Sequence, residues 1–130
     1  MKVGIGLPNT TPGATGELIV AWARRAEGRG FSSLATIDRI AYPSFETFVT
    51  LAAAAAATER IGLFPDILLA PTRSTALLAK EAASVDQISR GRLTLGLGVG
   101  NREDDYELTG QGFRNRGRRF DEQITALTAA

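Results

Sequence analysis

The chain has 130 residues, enough to bury one hydrophobic core and to form one domain. Its 15 Lys and Arg against 14 Asp and Glu leave a net charge of +1, so bulk electrostatics gives no case for nucleic acid or an acidic membrane surface. It contains neither cysteine nor histidine, which excludes a disulfide framework, a thiolate nucleophile, a Ser-His-Asp triad and zinc held by His or Cys.

No apolar run approaches the roughly 20 residues that span a bilayer. The N-terminus, Met1-Lys2-Val3-Gly4-Ile5, enters a strand pattern at once, without a signal-peptide layout, so the expected location is cytoplasmic. Any chemistry must rest on carboxylates, Arg, Lys, hydroxyls, backbone amides or a borrowed cofactor.

Residues 2–8 read as a first strand in which Val3, Ile5 and Leu7 alternate with Gly4 and Gly6 before Pro8 ends it. A Thr-, Pro- and Gly-rich loop follows over 9–16, and Thr15 or Gly16 caps a helix to about Arg29. Its inner stripe is predicted to carry Leu18, Ala21, Trp22 and Ala26, with Trp22 in the core. Residues 31–37 form a second strand that delivers Asp38 and Arg39 at its carboxyl end. Ser44 is the predicted N-cap of a helix to about Arg60, buried through Phe45, Phe48, Val49 and Ala52.

A third strand spans 61–71, with a kink expected at Pro65-Asp66 because proline removes a ladder donor. A turn over 72–75 leads to a helix over 76–90 carrying Leu77, Leu78, Val85 and Ile88. Gly91 stands where a left-handed terminating residue belongs. The strand over 93–100 then alternates strictly, with Leu93, Leu95, Leu97 and Val99 on one face and Thr94, Gly96, Gly98 and Gly100 on the other. An acidic turn over 102–108, a basic loop over 114–119 and a helix begun by Phe120, Ile124 and Leu127 complete the chain.

The order is βα repeated four times, which indicates parallel βαβ units. It fits either a doubly wound sheet, as in a flavodoxin-like module, or the first half of a (β/α)8 barrel, whose full form takes roughly 200–250 residues. Strands one and four both place glycine on one face, which suits a lumen where a flat ligand approaches backbone. Strands of a doubly wound sheet read instead as continuous apolar runs. The half-barrel is therefore preferred.

Several motifs yield to simpler readings. Gly96-Leu97-Gly98-Val99-Gly100-Asn101 is not the dinucleotide fingerprint, because Asn101 stands where its third glycine belongs. Glu103-Asp104-Asp105-Tyr106-Glu107 is most simply a solvated first helical turn, since adjacent positions do not converge on a metal. Arg114, Arg116, Arg118 and Arg119 lack the interleaved aromatics of a nucleic-acid surface. Asp38 and Asp66 are either local acceptors or ligand-facing groups, at the strand end and the strand break respectively.

The stretches Gly30-Phe31-Ser32-Ser33-Leu34 with Asp38, Thr58-Glu59-Arg60-Ile61, Leu78-Ala79-Lys80 and Val85-Asp86-Gln87-Ile88-Ser89-Arg90-Gly91-Arg92, running on through Gly100, resemble the N-terminal half of the luciferase-like monooxygenases. This family includes bacterial luciferase and flavin- or coenzyme F420-dependent oxidoreductases. Glu103, Asp105, Tyr106, Gly110 and Arg119-Phe120-Asp121-Glu122 continue the likeness. The resemblance implies a (β/α)8 barrel with reduced FMN or F420 across the carboxyl mouth of the strands. It also implies a small organic substrate and, for a monooxygenase, O2 as co-substrate. By resemblance the cofactor is held at Asp38, at a strand-three bulge (often a non-proline cis peptide) at Asp66 and Ile67, and at Gly98, Gly100 and Asn101. Asp38, Arg39 and Glu103 are the catalytic candidates.

Arg39 stands where many relatives carry histidine, and a guanidinium cannot act as a base at neutral pH. No metal site is expected. The sequence stops within a helix pattern over 125–130, before the later strands that build the family's phosphate pocket, so it reads as one truncated half-barrel domain over 1–130. A homodimer, or association through open sheet edges, is the expected assembly. The competing reading is a non-catalytic α/β half-barrel or flavodoxin-like module that associates through those edges.

Overall fold

The computed structural model describes residues 1–129. Three parallel strands, β1 (Gly4–Gly6), β2 (Ser33–Thr36) and β3 (Gly62–Pro65), lie side by side in that order. Two more, β4 (Leu68–Leu69) and β5 (Leu97–Gly98), form a second parallel pair. A single bridge, Leu63 to Leu93, joins β3 to the chain entering β5. Among the described residues the sheet does not close on itself.

The helices are α1 (Gly16–Gly28), α2 (Thr47–Ala57), α3 (Thr75–Ser89), α4 (Glu103–Thr109) and α5 (Arg116–Thr128), with a 3-10 turn at Ala70–Thr72. Strands one to three are neighbours in sequence order, and right-handed crossovers then deliver the helices α1, α2 and α3 that follow them to the same face. That is what the core shows. Leu34, Leu63 and Leu68 meet Ile19, Ala23 and Ala26 of α1, Leu51, Ala54 and Ala55 of α2, and Leu78, Ala82 and Val85 of α3. The alanines of α2 bring its axis close to the sheet. On the opposite face Gly4, Ser33, Gly6, Ala35 and Phe64 line an open cleft of about 400 Å³. A doubly wound sheet carries helices on both faces, so the flavodoxin-like alternative does not describe this α/β chain.

Several local expectations need correction. Trp22 is 38% exposed, because the buried stripe of α1 runs through Ile19, Ala23 and Ala26, one position round from the predicted one. The cap of α2 is Glu46, whose Oε2 accepts from Val49 N at 2.8 Å, and Ser44 lies outside the helix. Phe45 and Val49 are exposed, as are Leu77 and Ile88 in α3. Strand three breaks in two at Asp66, as its proline predicts. The long fourth strand shrinks to Leu97–Gly98, because the partner chain turns away between its two halves. The acidic turn is helix α4, and the basic loop is helical from Arg116. Ala130, included in the predicted last helix, lies outside the described residues.

The Ser89-Arg90-Gly91-Arg92 motif closes the end of the fold opposite the strands' carboxyl ends. Arg90 and Gly91 both take left-handed backbone, φ 60° and 79°. Buried Ser89 donates to Asp86 O and accepts from Arg92 N. The Arg92 guanidinium spends all five N–H groups on Ser89 O, Thr58 Oγ1, Ile61 O, Ala55 O and Thr58 O, at 2.7–3.0 Å. One side chain thus ties the ends of α2 and α3 to the start of β3.

Candidate functional site

The loops that follow the strands meet at the carboxyl end of the sheet, where (β/α) folds build their sites. Asn9, fully buried after β1, sets the first of them. Its amide donates to Ile37 O (2.8 Å) and Phe45 O (3.3 Å) and accepts from Ile37 N (3.2 Å). Ile37 is thereby held at the mouth, where it lines both the open-face cleft and a second cleft of about 290 Å³.

Asp38 does not face open solvent: it is 5% exposed. Its Oδ2 accepts from Leu69 N at 2.7 Å and from Arg73 Nη1 at 2.6 Å, and Oδ1 accepts from Arg73 Nη2 at 2.9 Å. Arg73 reaches on to Glu46 Oε1 at 3.0 Å. Burial works against the Arg73 charge, but the bonds and charges of Asp38 and Glu46 outweigh it and raise the guanidinium pKa. Arg73 O and the carbonyls of Ala70 and Pro71 accept in turn from Arg119 and Gln123 of α5.

Arg39 is committed to α4. Its Nε donates to Asp105 Oδ2 at 2.7 Å and its Nη2 to Asp104 Oδ2 at 2.9 Å, and the guanidinium lies 4.1 Å from the centre of the Tyr42 ring. Asp105 is fully buried and its other oxygen accepts from Ala41 N at 2.8 Å. Burial opposes the Arg39 charge, yet the Asp105 bond and the two carboxylates raise its pKa, so it stays protonated. The acidic cluster is therefore not simply a solvated turn, because one of its carboxylates is the buried anchor of Arg39.

The peptide bond Asp66–Ile67 is cis, at the position the resemblance implies. Asp66 N continues the β2 ladder by donating to Thr36 O (2.8 Å), whereas Leu68 N turns to Gly96 O (2.8 Å) across the second strand pair. Ile67, 45% exposed, lies over Gly98: a Cβ on that glycine would stand 2.8 Å from Ile67 Cδ1. Leu69 packs the same way on Gly100, which has φ +67°. The glycine face of strand four is thus a seat for side chains of the broken third strand. The loop beyond it is pinned twice. Tyr106 Oη donates to Val99 O, and Arg116 Nε donates to Gly100 O at 3.2 Å while its guanidinium stacks 3.9 Å from the Phe113 ring centre. Burial pushes the Tyr106 hydroxyl pKa up, against the charges of Arg116 and Arg119.

Of the residues singled out from sequence, Arg39, Gly100 and Asn101 line one cleft together with Ile37, Tyr42 and Leu69. Ile67 and Gly98 touch, and Asp66 lines the adjoining open face. Asp38 lies behind this surface as its brace. Glu103 is exposed at the start of α4 and does not line the cleft. Sequence reasoning missed Asn9, Glu46 and Arg73, and set Arg116 aside as part of a basic loop. Only Asn9, directly after the proline that ends β1, carried a positional signal.

The sequence profile of the luciferase-like monooxygenase family matches residues 1–130. The chain belongs to this family. An uncharacterised protein of Mycobacterium tuberculosis is 36% identical over 124 residues, covering 78% of this chain and 43% of that protein. The monooxygenase RslO1 from Streptomyces bottropensis superposes with a TM-score of 0.87 at 29% identity, over 98% of this chain and 42% of RslO1. The coenzyme F420 dependent tetrahydromethanopterin reductase from Methanopyrus kandleri gives a TM-score of 0.71 at 29% identity, over 86% and 30%. This luciferase-like chain thus spans less than half the length of the relatives it matches. No helix among its described residues is long and apolar enough to cross a membrane.

Proposed function

We propose that the chain forms the first four βα units of a (β/α)8 barrel that holds reduced FMN or coenzyme F420 across the carboxyl ends of its strands. It would serve an oxidoreductase acting on a small organic substrate, with O2 as co-substrate if the enzyme is a monooxygenase. The observation that carries this reading is Ile67, an exposed apolar side chain seated on Gly98, two residues before Leu69, which sits on Gly100 and lines a cleft with Asn101 and Arg39. A planar tricyclic ring needs such a shelf, with backbone within reach and polar groups at the rim. The packing of α1, α2 and α3 on one face of sequentially ordered parallel strands supports the half-barrel, as does the likeness to an F420-dependent reductase and a monooxygenase.

When bound, the cofactor supplies the redox chemistry. The chain's own residues supply position and field. Ile67 supports the ring, Ile37 and Leu69 exclude water, and Asn101 offers amide groups at the rim. Arg39, fixed by two carboxylates, gives a permanent positive charge that polarises but does not take up a proton. Asp38 acts from behind as a brace, and Glu103 contributes only by a movement of α4.

Anaerobic titration with reduced FMN and with reduced F420, followed by absorbance and fluorescence, tests the reading. It predicts saturable binding of one of them, weakened at least about tenfold by Ile67→Asp, about 1.4 kcal/mol of binding free energy. Equal affinity of the variant, or no binding of either cofactor, refutes it. The outer edges of β1 and β5, unpaired among the described residues, favour a second reading in which the chain associates through them into a homodimer without catalysis. A monomer by sedimentation velocity at high micromolar concentration removes that reading.

A further inference from the structure

The break between Pro65 and Leu68 transfers the chain from one sheet partner to another. Asp66 N still bonds β2, at Thr36 O, but Leu68 N bonds Gly96 O on the far side. Beyond Asp66 no backbone group of β2 reaches β4 through the ladder. Leu69 N points back towards β2 and finds a side chain there, Asp38 Oδ2 at 2.7 Å. The carboxylate of Asp38 therefore stands in for the missing ladder acceptor and sets how far apart β2 and β4 lie. Ile67 and Leu69, the two side chains seated on Gly98 and Gly100, ride on that segment.

A carboxylate at 5% exposure needs a cation, and Arg73 supplies it through two parallel N–H···O bonds at 2.6 and 2.9 Å. Arg73 is itself fixed. Its third contact is Glu46 at 3.0 Å, the residue that caps α2, and its carbonyl accepts from Arg119 and Gln123 of α5. Arg73, Asp38 and Glu46 lie outside the lining of the cleft, yet the segment they hold carries Leu69, which lines it, and the Ile67 shelf.

We infer that Arg73 is a positioning residue for the cofactor face: through Asp38 it holds the Leu69 amide, and with it the Ile67 shelf, at the spacing the ring requires. The inference rests on the proposed cofactor site. It assigns the Asp38 carboxylate to Leu69 and Arg73 rather than to proton transfer. Lysine at position 73 would keep the charge but lose the paired geometry that orients both carboxylate oxygens.

The test compares Arg73→Lys with Arg92→Lys, a variant at the opposite end of the strands chosen as a control for loss of stability. Two readouts are taken: amide hydrogen exchange of Leu69 by NMR, and the dissociation constant of reduced FMN or F420, whichever the unaltered chain binds. The expected result is at least tenfold faster exchange at Leu69 and at least fivefold weaker cofactor binding for Arg73→Lys. Arg92→Lys, at comparable or greater loss of thermal stability, should leave the affinity within twofold and speed Leu69 exchange no more than that of the other core amides. Unchanged Leu69 exchange overturns the inference, and so does equal loss of affinity in both variants, because Arg73 would then act only through global stability. If the unaltered chain binds neither cofactor, the proposed cofactor site fails first and the assignment falls with it. Unaltered binding with an unaffected Arg73→Lys variant overturns the positioning role alone.

Discussion

Replacing Arg92 with alanine should be the most damaging single change at the closed end of the fold. The guanidinium uses five N–H groups on five acceptor contacts, and Ala55, Thr58 and Ile61, which supply four of them, are each under 7% exposed. At about 0.5–1.5 kcal/mol net per hydrogen bond the sum is roughly 2.5–7.5 kcal/mol. Carbonyls at the edge of the structure recover some water once the side chain is gone, so the lower part of that range applies, about 3–4 kcal/mol. Against a total of about 6–15 kcal/mol for a domain of this size, that is a large fraction. In thermal unfolding followed by circular dichroism, Arg92→Ala should lower the Tm by roughly 10–15 °C. Arg92→Lys should recover less than half, because one ammonium with three donors cannot span from Ser89 O to Ala55 O. A Tm within about 3 °C of the unaltered chain would mean that these contacts add little, and the clamp argument would be wrong.

The other expectations concern the loops and the glycines. Gly96→Ala places a Cβ against Pro65 O and the Phe64 ring; backbone cannot yield, and urea unfolding should show a loss of about 1–3 kcal/mol. Gly98→Ala meets only the flexible tip of Ile67, so stability should change by less than about 1 kcal/mol while cofactor affinity falls; the reverse pattern would refute the shelf. Asp105→Asn leaves Arg39 with Asp104 alone and should cost about 3 kcal/mol by urea unfolding. Glu27 accepts from the backbone N–H groups of Glu59, Arg60 and Ile61. Burial opposes its charge, but these bonds and the nearby Arg60 hold its pKa below the ordinary value. A depressed carboxylate stabilises above its unfolded pKa of about 4.3 and loses that contribution as pH falls through the folded one. The stability gap between the unaltered chain and Glu27→Gln should therefore be full at pH 7 and shrink below about pH 4; a gap independent of pH would exclude the carboxylate.

The alternation in 2–8 and 93–100 exposed two strands with one glycine face, and Pro65-Asp66 exposed the break, because period and proline chemistry are local properties. The left-handed stop after α3 was legible at Gly91 for the same reason, although Arg90 joins it there. Helix faces were less legible. An α1 stripe through Leu18, Ala21 and Trp22 is as periodic as one through Ile19, Ala23 and Ala26, and only the neighbouring strand decides which is buried. The extent of the fourth strand depends on where its partner leaves, which lies about thirty positions earlier in the chain. At the site, Asp38 and Arg39 were visible as residues but not in their roles. Their partners, Arg73 and Asp105, are 35 and 66 positions away, and spacing along a chain does not reveal an ion pair of that separation.

Each loop that lines the mouth is held by a side chain from another element. Asn9 holds 37–45, the Asp38–Arg73 pair and α5 hold 69–73, and Tyr106 and Arg116 hold 99–100. These stretches of the mouth are thus fixed by contacts that do not involve a ligand, the arrangement expected of a preorganised site. A preformed mouth needs no closing step before the ring is seated, so stopped-flow binding of reduced cofactor should be a single phase whose rate rises linearly with concentration. A rate that saturates with rising cofactor concentration would reveal a conformational step. It would show that these braces yield in solution, and that the shelf forms only when the ring arrives.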